Sequence, residues 1–135
     1  MKLLIDANIV LDVLQKREPH WKESSTIWKL CETEQAEGFI STLTFANLVY
    51  VMRKELTPSQ IEDVFNKLKL IFQFADFCSS DLSRASEMHW EDFEDSIQSA
   101  IAERIQANFI ITRNVRDFKQ SKVMAFTPSE FIARL

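Results

Sequence analysis

Apolar residues recur along this chain in two rhythms. Short unbroken runs, Leu3-Leu4-Ile5 and Phe109-Ile110-Ile111, read as buried strands, while elsewhere apolar positions fall three and four apart, the spacing of a helix with one face on a core. The first run predicts a strand over residues 2–5, and Ile9, Val10, Val13 and Leu14 predict a helix over 8–16. Glu18-Pro19-His20 breaks the chain, and Ile27, Trp28, Leu30 and Cys31 predict a second helix over 21–34. Gly38 stops that helix, and a strand follows over 38–41. Leu48, Val51 and Met52 mark a third helix over 44–54. Thr57-Pro58-Ser59-Gln60 opens a fourth, with proline in the first turn and a capping-box glutamine, running to about Leu70. Residues 71–77 form a strand candidate whose register Phe72, Phe74 and Phe77 leave open. A short helix over 81–87, a longer one over 92–106, a strand over 109–112 and an edge strand over 123–126 follow. Thr127-Pro128-Ser129-Glu130 repeats the capping box and opens a C-terminal helix. Strands alternating with helices predict an α/β fold, with a mainly parallel twisted sheet of four to five strands flanked by helices.

Length and composition narrow the picture. The 135 residues suit one domain, expected over 1–135, with a full core. A single glycine argues against a Gly-rich phosphate loop and against a hairpin-rich all-β fold. The apolar runs are too short to span a bilayer, and Asp6 interrupts the stretch where a signal peptide needs continuous apolar residues, so the expected compartment is the cytoplasm and no membrane partner is expected. Cys31 and Cys78 lack metal-ligand spacing and read as free thiols, and His20 and His89 form no zinc cluster. The net charge of −4 means that any nucleic acid must be met by local basic groups and by bound cations.

The candidate chemistry lies where the strands end. Asp6 follows the first apolar run directly, with Asn8 behind it, and Thr112-Arg113-Asn114-Val115-Arg116-Asp117-Phe118 follows the 109–112 strand. In an open parallel sheet, ligands bind beyond the carboxyl ends of the strands. Acids delivered there from distant parts of the chain suggest a hard-cation site for phosphate-ester chemistry. Each residue also has a plainer role open to it. Asp6 can cap the next helix, Asn8 can turn the chain, and Asp92 and Asp95, three apart at a helix start, can answer its dipole. Arg113 and Arg116 suit bidentate contact with phosphate or an ordinary polar loop.

These segments, in this order, resemble the PIN-domain family, and in particular the small ribonucleases that serve as toxins in VapBC-type toxin–antitoxin modules. The resemblance rests on Leu4-Ile5-Asp6-Ala7-Asn8, on Ile40-Ser41-Thr42-Leu43-Thr44, on Asp92-Phe93-Glu94-Asp95 with Ala100 and Ala102, and on the string from Thr112 to Phe118. It implies an acidic pocket binding Mg²⁺ or Mn²⁺, with Asp6 and Asp95 matching two metal-binding aspartates. By the same resemblance Asn114 and Asp117 match polar residues that close the pocket, and Ser41 or Thr44 lines it. The first acid's usual glutamate partner is replaced here by Asn47.

The resulting expectation is an endoribonuclease in which Asp6, Asp95 and Asp117 hold the cation and, with Asn114, form the catalytic set. Asn8, Ser41, Thr44, Asn47, Asp92, Thr112, Arg113 and Arg116 are the expected substrate contacts, with Asp92 and Glu94 behind the metal ligands. The expected partners are an RNA substrate, a second copy of the chain and an antitoxin protein. Trp21 and Trp28 share a helix face that packs on the sheet or meets such a partner. A second reading, favoured by Asn47 and the acidic charge, is a PIN-like module that binds RNA or protein and cuts weakly or not at all. A haloacid-dehalogenase-type phosphatase fits poorly, because Asn8 stands where that chemistry needs a second aspartate. An aspartyl-phosphoacceptor domain fits poorly too, since its acceptor follows a middle strand.

Overall fold

Leu3, Leu4 and Ile5 are all buried because β1 (Lys2–Ile5) lies at the centre of a sheet with both faces covered. The computed structural model describes residues 1–135. After β1 come α1 (Ala7–Leu14), α2 (Trp21–Glu32), β2 (Glu37–Ser41), α3 (Thr42–Val51), α4 (Pro58–Ile71) and β3 (Gln73–Ala75). Then follow α5 (Ser79–Met88), α6 (Phe93–Arg104), β4 (Phe109–Ile111), a 3-10 turn (Val115–Phe118), β5 (Met124–Phe126) and α7 (Pro128–Ala133). The five strands are all parallel, in the order β3-β2-β1-β4-β5. The α/β reading with four to five parallel strands holds, at the upper number.

Alternation along β1 sorts the core into two layers. Leu3 and Ile5 point into a cluster with Ile9, Ile27, Trp28, Leu48 and Leu68, while Leu4 points the other way, among Ile97, Ile101, Ile110 and Phe118. Trp28 is buried in the first layer, edge-on to Phe72 at 5.3 Å, so it packs on the sheet; Trp21 is half-buried and donates its indole N–H to Glu18 at 2.8 Å. Both cysteines are free, and burial pushes the Cys31 thiol up to about 12. No helix is long and apolar enough to cross a membrane.

Two boundaries differ from the sequence pattern. The third strand is only Gln73–Ala75: α4 continues to Ile71 with Phe72 as its cap, and the pairing with β2 ends at Ser41 opposite Ala75. Gly38 is not the stop of α2, which ends at Glu32 with Thr33 as its cap. It lies inside β2, where a side chain has no room: a Cβ there would sit 2.5 Å from Cys31 Sγ and 2.7 Å from a Phe72 ring carbon. The glycine is required by the close approach of α2 and Phe72 to the sheet.

Gly38→Ala is expected to lower stability by about 2 kcal/mol through overpacking. Urea denaturation checks this, and pairing it with Cys31→Ala should recover part of the loss. An unchanged midpoint would show that this layer has slack the geometry does not suggest.

Candidate active site

The sheet reverses direction of winding at β1: the chain builds β2 and β3 on one side of it and β4 and β5 on the other. A crevice opens at such a switch point, beyond the carboxyl ends of β1 and β4. Ile5 pairs with Ile111, so Asp6 and Thr112 leave the sheet side by side. The backbone N–H of Asp6 donates to the Ile111 carbonyl at 2.9 Å, and the Thr112 hydroxyl donates to Asp6 Oδ2 at 2.7 Å. Asp6 Oδ1 accepts the Ala7 N–H at 2.8 Å, capping α1, so the plainer role of Asp6 coexists with its place in the crevice. Asn8 spans the same gap: its amide nitrogen lies 3.4 Å from both Asp6 Oδ2 and Thr112 Oγ1, and its Oδ1 accepts the Arg113 N–H at 3.2 Å.

The start of α6 brings three more acids. Asp92 is the N-cap, accepting the Asp95 N–H at 3.0 Å, and Glu94 and Asp95 lie in the first turn. Asp117 comes from the 3-10 turn, which Asn114 opens with its side chain unbonded to the turn. The carboxyl groups feel one another. Burial pushes Asp6 up first, against the Thr112 and Ala7 hydrogen bonds, and the charges of Asp117 and Asp92 add to it. Burial and then the charges of Asp92, Asp6 and Asp117 carry Asp95 from an ordinary 3.8 to about 7. Glu94 is raised by burial, Asp92 and Asp6, and lowered by the Asn47 amide, which donates to its Oε1 at 2.7 Å.

No ion pair answers this charge. The ion pairs of the protein are Arg84–Glu103, Arg104–Asp81 and Arg113–Asp12, and none involves these acids. Three His, Cys, Asp or Glu side chains are nowhere gathered into a ready metal cage. The donor set nevertheless fits a hard cation: it is all oxygen, it is anionic, and Mg²⁺ keeps several of its waters rather than filling a closed protein shell. Repulsion among such carboxylates raises the cost of ionising them together, and a cation would relieve it.

Several expected contacts have other work. Arg113 does not face the crevice as a free phosphate ligand; its Nε donates to Asp12 Oδ2 at 2.9 Å. Asp12 is fully buried on α1 and also accepts the Ser24 hydroxyl at 2.9 Å, while its Oδ1 has no partner. Ser41 and Thr44 do not line an open wall, being fully buried: the Ser41 hydroxyl caps α3 and lies 3.0 Å from the Thr44 hydroxyl, which accepts the Gln98 amide of α6 at 2.6 Å. They fix α6 against α3 and hence set where Glu94 and Asp95 stand. Thr112 is fully buried too and reaches the crevice only through its hydrogen bond to Asp6, so it is no substrate contact; Asn8 and Asp92 are at the crevice, Asn47 touches it through Glu94, and Arg116 is exposed and unpaired.

Asp12, Ser24 and Gln98 are missing from the sequence reading. Asp12 carried a signal, since it follows Asn8 by four and Ile9 by three and so occupies an inward helix face, where an acid demands a cation. The sequence does not show that the cation is Arg113.

A family model described as PIN domain matches residues 2–116. No curated protein sequence matches the chain. Among solved structures, it is similar to a chain of VapBC2 from Rickettsia felis bound to a DNA fragment from their promoter, at 18% identity and TM-score 0.73, covering 94% of this chain and 98% of that one. It is also similar to a chain of a toxin–antitoxin complex from Klebsiella pneumoniae, at 22% identity and TM-score 0.71, covering 93% and 97%. VapC20 from Mycobacterium tuberculosis, a Sarcin-Ricin loop cleaving toxin, matches at 9% identity and TM-score 0.63, covering 80% and 86%. At these identities the likeness is one of fold.

Two measurements test the electrostatics. A carboxyl whose folded-state pKa is raised holds its proton more tightly when folded, so stability is lost as pH rises from its ordinary 3.8 through about 7. In EDTA, Asp95→Asn should therefore melt above the parent by a margin that widens as pH rises, small near about pH 4 and roughly 2 °C at pH 8, allowing for solvent screening. Equal melting at pH 8 would remove the repulsion from the account. Arg113→Ala strands the buried Asp12 charge and should cost about 3 kcal/mol in chemical denaturation, whereas Arg116→Ala should change stability by less than about 0.5 kcal/mol.

Proposed function

The chain belongs to the PIN-domain family, and from that premise we propose that it is an endoribonuclease dependent on Mg²⁺ or Mn²⁺, the toxin half of a toxin–antitoxin pair. The observation that carries the reading is the set Asp6, Asp92, Glu94, Asp95 and Asp117 at a switch-point crevice, where burial and the neighbouring carboxylates raise Asp6, Glu94 and Asp95 and none of the five has an ion-pair partner. Asp6, Asp95 and Asp117 are the residues that would hold the cation, whose chemistry is to acidify a water and to stabilise charge on the phosphate. Asp6 is the fixed member, since Thr112 and Ala7 orient both of its oxygens. Asn8 and Thr112 keep the β1 and β4 ends together, so the acids of both sides stay in register. Asn114 opens the turn that carries Asp117 with its side chain uncommitted to that turn, and Arg116 is free to pair with a phosphate oxygen through its planar fork. The likeness to chains from toxin–antitoxin complexes supports an antitoxin partner, and the same reading includes a homodimer.

Asn47 favours a second reading, a module that binds RNA or protein with little cleavage, because a neutral amide stands where the resembling proteins carry an acid. Cleavage of a ribo-oligonucleotide by the purified chain separates the two. Activity should require Mg²⁺ or Mn²⁺, vanish in EDTA, and fall on the order of 10²-fold or more in Asp6→Asn and in Asp95→Asn. Undiminished cleavage by both variants would overturn the assignment of the site. Absence of metal-dependent cleavage together with absence of Mn²⁺ binding by calorimetry would favour the second reading.

A further inference from the structure

A cavity of about 440 Å³ opens next to the acidic crevice and shares two of its acids, Asp92 and Asp117, as walls. Its other walls include Trp90, a third acid, Glu91, and the cations Arg116 and Lys119. The volume lies within the range of small-molecule sites, and the mixture of an aromatic face with cations beside acids differs from the crevice itself. We infer that this cavity holds the nucleotide adjoining the one at the acids, taken from a single RNA strand, with Trp90 as the stacking platform for its base and Arg116 and Lys119 as contacts for its phosphate. The inference rests on the nuclease reading above and adds to it a binding subsite and a strand state.

The chain's own geometry builds the platform. α5 ends at His89, which adopts a left-handed conformation at φ 57° and ψ 38°. That turn delivers Trp90 and Glu91 across the gap to Asp92, the N-cap of α6. Trp90 is half-buried and meets the buried Phe118 edge-on, with ring centroids 6.2 Å apart and an interplanar angle of 77°. Phe118 ends the 3-10 turn that also carries Arg116 and Asp117, so one contact fixes the platform relative to a cation and an acid. An anchored indole with part of its surface in solvent can stack on a base of any identity.

The cations are available for the same reason that Arg113 is not. Arg113 is tied to Asp12, whereas Arg116 and Lys119 are exposed and belong to no ion pair, although Asp92 and Asp117 line the same cavity. A strand whose phosphate sits at the acids meets its favourable charge on this side. A base stacked within a duplex shows no free face to an indole, so the site selects unpaired nucleotides.

Fluorescence anisotropy of a labelled uridine hexamer tests this, with the full chain carrying Asp95→Asn to suppress cleavage. Adding Trp90→Ala should weaken binding about tenfold or more, while Trp90→Phe keeps most of the affinity. Arg116→Ala and Lys119→Ala should each weaken binding and reduce the slope of log affinity against log salt by about 0.7. A self-complementary duplex of equal length should bind less tightly and ignore Trp90→Ala. Folded Trp90→Ala protein that binds the hexamer like its parent overturns the subsite, as does a duplex that binds equally well. If Trp90→Ala fails to fold, the Arg116 and Lys119 variants decide, and unchanged affinity and salt slope in both overturns it. The outcomes keep the two readings apart. Tryptophan-dependent binding by a chain that cuts no RNA sinks the nuclease and leaves the subsite. Acid-dependent cleavage with tryptophan-independent binding does the reverse.

Discussion

The hydrogen bond from Thr112 to Asp6 is the constraint on which the rest of the site depends. It joins residues 106 apart in sequence, and it forms because β1 and β4 pair in a register that ends both strands at the same level. That register is held by burial: shifting either strand by one residue would exchange Leu3 and Ile5 for Leu4 between the two core layers. The position of a polar contact at the surface is thus set by apolar side chains beneath it. The strand order, with β1 flanked by β2 and β4, places the switch point at that level.

A second tie reinforces the first from below. Arg113 and Asp12 join the loop after β4 to α1, and Asn8 adds a backbone contact to the same arginine. An ion pair with one fully buried member adds little to stability for its cost in desolvation, but losing one partner is expensive, so it favours a single placement of the loop. The two arginines of that loop therefore divide their roles. Arg113 is committed inward and holds the 3-10 turn in place; Arg116 is left in solvent, where a guanidinium can still meet an anion.

Most of the fold was legible because its signals are local. Unbroken apolar runs, proline at helix starts and two capping boxes each report on a few neighbouring residues, and both capping boxes form as read. Asp6, Asp92, Asp95, Thr112 and Asp117 were legible as candidates because each follows a strand or opens a helix. What escaped the sequence depends on partners far along the chain. Whether Arg113 faces solvent or Asp12 is decided by how α1 crosses the β4 loop. Whether Ser41 and Thr44 line a pocket or lie beneath it is decided by Gln98, 54 residues after Thr44. Gly38 was read through the commonest use of glycine, a helix stop, whereas its reason is the tight approach of Cys31 and Phe72. The third strand is shorter than the apolar run because phenylalanines suit either a strand or the end of a helix, and Phe72 caps α4 while the partner strand β2 ends opposite Ala75.

Asn47 deserves a different interpretation from loss of a ligand. Glu94, on the facing turn of α6, reaches within 2.7 Å of it and shares the charge environment of Asp6 and Asp92. A carboxylate at 47 would oppose Glu94 at hydrogen-bond distance and add to a cluster that burial and repulsion already strain. The amide instead donates to Glu94, offsets part of the rise that burial and the neighbouring acids impose on it, and fixes its direction. The negative charge that one helix lacks is thereby carried by the other. In the proposed metal site the anionic oxygen would then come from α6, whose position Thr44 and Gln98 secure.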